Sequence, residues 1–352
     1  MIEFKGIPRR QFMAGSAAGL TLLGSHRSVF AQQSESQGMK EVEDAARREG
    51  RFVWYDAIPA QQGAGVIAAF QKKYPEIKGE FIELSSTQRV ARINQESNAG
   101  GPTADFFIDL PQIAMSLVAQ GFARAVDWTR FGIQPSPDST PNPYLLLTHA
   151  TPTVFIYNSR KISDAEAPKT YEDTLNPKWK NRVGIWSIPY GPIQMIAAWG
   201  EEGVADYFKR FSAISPRLFA NSHALADSVG AGEVDMGYFL PYNTVLPTIQ
   251  KGAPVKIVWI EPVALGALYG VLPKYGANPN AGKLFLSWIA SPDGAKAWEQ
   301  HALRGNPYVQ GTEMNQLLGS RNKSQLSADV MVRKADQLNT FSNKIIGMLQ
   351  GR

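Results

Sequence analysis

The sequence contains no cysteine. Disulfides, thiolate metal sites and cysteine nucleophiles are excluded, as is a lipid anchor carried on an N-terminal cysteine. Histidine is scarce: beyond the first 31 residues only His149, His223 and His301 remain. No segment reaches 18 consecutive apolar residues, so no membrane-spanning helix is expected. There is no G-x-S-x-G elbow, P-loop or H-E-x-x-H, and no G-x-G-x-x-G after a strand. Gly63-Ala64-Gly65 follows a strand but lacks the later glycine and ribose-binding acid of a dinucleotide site. Carboxylates are scattered rather than paired. An enzyme therefore has no visible mechanism here, and no cofactor is implied.

What is present fits a soluble, folded chain of 352 residues. Hydrophobic residues make up 44% and charged residues 19%, against wholesale disorder. The formal net charge is +5, of which residues 1–31 carry +3 through Lys5, Arg9, Arg10 and Arg27 against Glu3. The remaining +2 offers no basic face for nucleic acid. Those first 31 residues read as a cleaved export signal. Arg9-Arg10-Gln11-Phe12-Met13 resembles the twin-arginine signature, Ala14–Leu23 is mildly apolar, and Val29-Phe30-Ala31 suits a signal peptidase. Such a leader implies a periplasmic protein.

After the leader, short apolar runs alternate with helical patterns. Phe52–Tyr55, Glu80–Glu83 and Asp105–Ile108 read as strands. Helices are expected around Val66–Phe70, after Ser85-Ser86, and over Ile113–Ala119. The middle repeats the alternation. Strands are expected at Arg182–Trp186, Asp235–Tyr238, Pro254–Ile260 and Leu265–Leu272, with helices at Ile193–Trp199, Gly203–Ser212 and Ala224–Val229. The tail reads as helices Ala281–Ala290, Pro292–His301 and Ser327–Leu349, with Ser291-Pro292 as a helix start. This order implies an α/β fold with parallel sheets covered by helices. Two extended runs, Thr151–Asn158 and a stretch near Glu261–Leu272, suit crossings between two lobes. The expected division is 32–152 with 265–352 as lobe 1, and 153–264 as lobe 2.

Several segments, in order, resemble the type 2 periplasmic binding proteins, in the branch of ferric-iron, phosphonate, polyamine, thiamine and sugar-phosphate binders. Phe52–Asp56 is similar to the opening strand. Phe155-Ile156-Tyr157-Asn158 matches the aliphatic-Tyr-Asn crossing strand. Residues 168–184, PKTYEDTLNPKWKNRVG, match the signature "P-K-[ST]-[WY]-x-D-L-x-x-P-K-W-K-G-[KR]-[IV]" except at Thr174 and Asn181. Ala231–Gly237 resembles the "G-E-x-x-x-G" strand entry, and the likeness runs over roughly residues 50–310. It implies two lobes, a hinge crossed twice, and a monomer that delivers a small-molecule ligand to the membrane permease of an ABC uptake system. A sensor input protein on the same fold stays open.

Ligands of open α/β sheets sit beyond the carboxyl ends of the strands, where helix N-termini favour anions. That rule selects Tyr55 and Asp56 after the first strand, Ser86 and Thr87 after the second, and Asp109 after the third. It adds Thr151 before the crossing, and Ser187, Tyr190, Ser222, Tyr238, Tyr242 and Glu261 from the second lobe. Each has a plain structural alternative: a helix cap for the serines, a turn closure for the aspartates, a core ring for Tyr55. The resemblance also implies an iron test. Ferric members use two adjacent tyrosines, consistent with the hardness of Fe(III). Here Gly237-Tyr238-Phe239-Leu240-Pro241-Tyr242 has phenylalanine in the second position. No metal is favoured. If iron binds, Tyr238 and Tyr242 are the expected ligands, and a small organic or anionic solute is the preferred alternative.

Overall fold

The computed structural model describes residues 37–134 and 136–351. The expected leader lies outside them. Helix α1 spans residues 37–49. β1 (Arg51–Asp56), α2 (Ala60–Lys73), β2 (Lys78–Glu83), α3 (Ser86–Asn98), β3 (Phe106–Asp109) and α4 (Pro111–Ala119) follow. The long strand β4 (Leu146–Asn158) comes next, then β5 (Val183–Trp186), α5 (Tyr190–Gln194), α6 (Ile196–Ser212), β6 (Arg217–Phe219), α7 (Ser222–Ala231) and β7 (Met236–Pro241). The chain continues with α8 (Tyr242–Gln250), β8 (Val255–Val258), β9 (Val263–Val271), α9 (Pro279–Ile289), α10 (Pro292–Ala302) and α11 (Glu313–Leu318). It ends with β10 (Lys323–Ser324), α12 (Ala328–Arg333) and α13 (Ala335–Leu349).

Local chemistry sets the helix starts. Ser85 caps α3 in a capping box with Gln88. Pro111, Pro279 and Pro292 open α4, α9 and α10, where a missing N–H costs nothing. Ser291 caps α10 as expected, its hydroxyl accepting from Gly294 N. The two departures from the signature also find reasons. Asn181 stands at φ 62, a left-handed position that glycine suits and asparagine tolerates. Thr174 is buried and shares a 2.6 Å hydrogen bond with Tyr207.

The strand order is β2-β1-β3-β9-β4-β7-β5-β6. β1 pairs in parallel with β2 and β3, and β5 pairs in parallel with β6 and β7. β4 changes partners along its length. Leu146–Pro152 pair with β9, and Thr153–Asn158 pair with β7 and β8. One strand thus belongs to two lobes. The first lobe packs α1, α2, α9 and α10 on β1 and β3 around Phe285, whose ring lies 4.7 Å from Phe52 and 4.9 Å from Phe106. The second is centred on Phe155, Tyr207, Phe208, Phe211 and Tyr238.

The C-terminal segment departs from expectation twice. The helix expected over Ser327–Leu349 is broken at Lys334, between α12 and α13. The assignment of residues 265–352 to lobe 1 also fails for its last part. Leu326, Met331, Leu338, Phe341 and Ile345 join the core of the second lobe. The apolar stripe of α13 needs a partner surface, and α6 supplies it.

Candidate functional site

Asp56 and Asp109 stand at the carboxyl ends of β1 and β3, and residues that follow β3 and β5, Leu110 and Tyr190 among them, line one cavity. Asp56 ends β1 and is buried. Its Oδ1 accepts from Ala57 N at 2.6 Å and Ile58 N at 3.2 Å, and its Oδ2 accepts from Trp54 Nε1 at 3.3 Å. Burial pushes its carboxyl up to about 6, against the pull of Arg89, Arg304 and those two N–H groups. Asp109 ends β3 and forms a buried ion pair with Arg89 of α3. It also accepts from Ser86 Oγ at 3.1 Å and Leu110 N at 2.9 Å. Thr151 lies on β4 opposite Gly266 of β9. Tyr190 opens α5 in the second lobe and reaches back to that strand pair. A Cβ built on Gly266 would lie 2.0 Å from the Tyr190 hydroxyl.

Arg304, after α10, adds the cation that strand ends alone do not reveal. Its Nη1 donates to Gln62 Oε1 at 3.1 Å and to the Ala302 carbonyl at 3.0 Å. Its field reaches groups of both lobes. Asp56 and Tyr190 act on it, and it helps lower the His223 imidazole at the start of α7 after burial, the larger cause. A cavity of about 170 Å³ lies next to Tyr190. Leu110 and Gln112 of the first lobe line it, with Ile188 and Tyr190 of the second and Met331 and Leu338 of the C-terminal helices.

Asp56, Ser86, Asp109, Thr151 and Tyr190 therefore belong to one region, joined by Arg89 and Arg304. Ser187 follows β5 and donates its N–H to the Phe219 carbonyl at 2.9 Å. Ser222 is buried at the start of α7, but the cap there is Asn221. Thr87 is exposed in the first turn of α3.

Four expected residues point elsewhere. Tyr55 lies under α3, its hydroxyl donating to Glu96 at 3.0 Å and its ring facing Arg92 at 4.8 Å. Strand alternation puts it on the face opposite Trp54. Tyr238 is fully buried in the second core, stacked 5.2 Å from Phe211, and donates to the Thr174 carbonyl at 3.2 Å. Tyr242 packs 5.5 Å from Trp259 and its hydroxyl lies 3.5 Å from Glu313. Glu261 accepts from Arg321 at 3.2 Å and Asn322 N at 2.9 Å, which ties β10 to the start of β9.

The Asp56 environment has a measurable consequence. A raised pKa means the folded chain binds this proton more tightly than the unfolded chain does. The resulting stability is complete below pH 4 and is lost as pH rises through 6. Asp56→Asn is expected to gain on the parent protein between those limits, by up to about 3 kcal/mol. Denaturant titrations of both proteins at stepped pH check this. Buried His149, held well below 6.5 by burial first and Arg304 second, acts in the opposite sense but cancels in the difference. A difference that stays flat would mean that Asp56 ionises as easily folded as unfolded.

This architecture was compared with known proteins. The family profile of bacterial extracellular solute-binding proteins matches residues 65–307. The chain belongs to that family. Its members bind solutes and catalyse no reaction. It is 26% identical over 195 residues to the major ferric iron-binding protein of Neisseria gonorrhoeae, covering 51% of this chain and 58% of that protein. The chain therefore spans little more than half the length of that relative. The fold is similar to that of iron-bound HitA from Pseudomonas aeruginosa, with a TM-score of 0.67, 17% identity, and 84% of this chain and 99% of that one covered. It is also similar to AfuA from Actinobacillus pleuropneumoniae with fructose-6-phosphate bound. There the TM-score is 0.67 and the identity 20%, covering 84% of this chain and 98% of that one. The solute-binding protein has the type 2 periplasmic binding protein fold.

Proposed function

We propose that this solute-binding protein is the periplasmic ligand-capturing component of an ABC uptake transporter, and that its ligand is a small organic anion held between the lobes. One observation supports this above the rest. β4 runs unbroken through both lobes, while Asp56, Tyr190 and His223, drawn from both, share the field of Arg304. A ligand held there bridges the lobes and favours the closed arrangement, because only that arrangement offers both sets of contacts. The closed form then docks on a membrane permease. The basic, apolar and small-residue succession of residues 1–31 supports export to the periplasm.

Ferric iron is the second reading, favoured by the name of the Neisseria relative, a ferric iron-binding protein. The side chains argue against it. Tyr238 is committed to the core and Tyr242 to Glu313. Among the described residues, no group of three His, Asp or Glu side chains is placed to hold a metal. A thermal-shift comparison on ligand-stripped protein separates the readings. A ligand at a hundred times its Kd stabilises by about 2.7 kcal/mol. An organic anion is expected to raise the midpoint, and iron(III) citrate to do no more than citrate alone. An iron-specific shift with a tyrosinate–iron colour would overturn the anion reading.

A further inference from the structure

We propose that Arg304 is the residue that recognises the ligand, its free guanidinium edge taking a carboxylate or phosphate group. The inference rests on the solute-binding reading above and names the chemical class of the solute.

The chain places this arginine with care. Leu303 ends α10 in a left-handed conformation at φ 55. Gly305 then accepts a 2.9 Å hydrogen bond from Ala150 N on β4. Arg304 is thereby pinned between a helix end and the strand that crosses the lobes. Nη1 is satisfied by Gln62 and Ala302. Nε and Nη2 have no hydrogen-bond acceptor among the described residues, and no carboxylate forms an ion pair with Arg304. Arg89 is the useful contrast. It is fully buried where Arg304 is only partly so, and Asp109, Ser86 and the Leu84 carbonyl occupy its two Nη atoms. Arg304 itself is only partly buried, and a forked guanidinium edge of this kind matches a planar or tetrahedral oxyanion.

Asp56 does not discharge this role. Three donors already surround its carboxylate, and it stays outside ion-pair distance of Arg304. It supplies a compensating charge and leaves the guanidinium edge open. Unpartnered hydroxyls lie at the start of α5. Thr153 is buried and its Oγ1 has no partner. Gly191, next to Tyr190, leaves room for that hydroxyl, since a Cβ there would lie 2.6 Å from Oγ1. The Tyr190 hydroxyl is buried beside Thr151 without the geometry of a hydrogen bond. A cation with an open edge and the unbonded Tyr190 hydroxyl close to it suit a small oxyanion, which accepts from both.

The test is calorimetric titration of the full chain, stripped of ligand, with inorganic phosphate, succinate, glycerol phosphate, glucose and putrescine. At least one of the three anions is expected to bind. Arg304→Gln should weaken that binding roughly 100-fold, and Arg304→Lys, which keeps charge but loses the fork, roughly 10-fold. Circular dichroism and the unliganded melting midpoint report whether each variant is folded, and the lysine variant serves if the glutamine variant is not. Anion affinity within twofold of the parent in a folded variant overturns the inference. Binding of glucose or putrescine alone overturns it too, while leaving the solute-binding reading intact. If none of the five probes binds, the inference fails, while membership of the solute-binding family stands.

Discussion

Asp109→Ala is expected to destabilise the fold by about 3–5 kcal/mol, because it strands a buried arginine. The Arg89 and Asp109 side chains are 2% and 3% exposed. Arg89 keeps only the Leu84 carbonyl and Ser86 as partners when the carboxylate goes. Ser86 and Leu110 N also lose their acceptor at the start of α4. Replacing both members of the pair by leucine should cost much less than the single change, since no uncompensated charge is then buried. Equilibrium denaturation of the two variants measures this directly. Asp109 follows a strand, and the strand-end rule selects it as a ligand group. If Asp109→Ala keeps the parent midpoint and loses only solute affinity, that assignment stands and the ion pair is incidental.

Gly266→Ala is expected to hold the lobes apart. The added Cβ would lie 2.0 Å from the Tyr190 hydroxyl and 2.3 Å from its ring carbon Cζ. A tyrosine ring has no flexible end to bend away, so it must leave its place or β9 must shift. Overpacking of this kind costs about 1–3 kcal/mol. Gly266 lies on β9 opposite Thr151 of β4, and Tyr190 comes from the second lobe, so the strain falls on the closed arrangement. Solute affinity should drop roughly 5- to 150-fold, and the radius of gyration in small-angle scattering should rise. Tyr190→Ala in the same chain removes the clash, so scattering from the double variant should match that from Tyr190→Ala alone. An unchanged scattering curve for Gly266→Ala would show that the ring and the strand adjust at no cost.

Much of the fold is legible in residues taken alone. Alternating apolar runs and helical periods between 51 and 119 announce β-α-β-α-β-α. Ser291-Pro292 marks a helix start, and the 168–184 segment is a structural loop. Asp173 accepts from Lys169 N and Thr170 N, and Trp179 Nε1 donates to the Asp173 carbonyl. The strand-end rule also selects Asp56, Thr151 and Tyr190, which the fold brings toward one region, because loops at carboxyl ends are where the chain changes direction near the other lobe. It overreached at Tyr55 and Tyr238. β7 is buried along its whole length, so no polar alternation shows which face meets the core and which meets the cleft. It does not select Arg304, the residue proposed here to take the ligand, since that residue follows a helix and nothing local distinguishes it from a solvated arginine.

The sequence by itself determined the fold class, the family likeness, the absence of thiol chemistry and the near-neutral body. These depend on composition and on periodicity within 10 to 20 residues, where local sterics and patterning act. Only the tertiary structure decided which polar groups meet. Arg304 reaches Gln62 from 242 positions away, Gly266 makes room for Tyr190, and of the C-terminal helices α13 covers the second lobe while α12 also packs on α4 of the first. Contacts at such separations carry no periodic trace. They depend on the register in which β4 meets β9, and a shift of one residue there would turn every side chain to the opposite face.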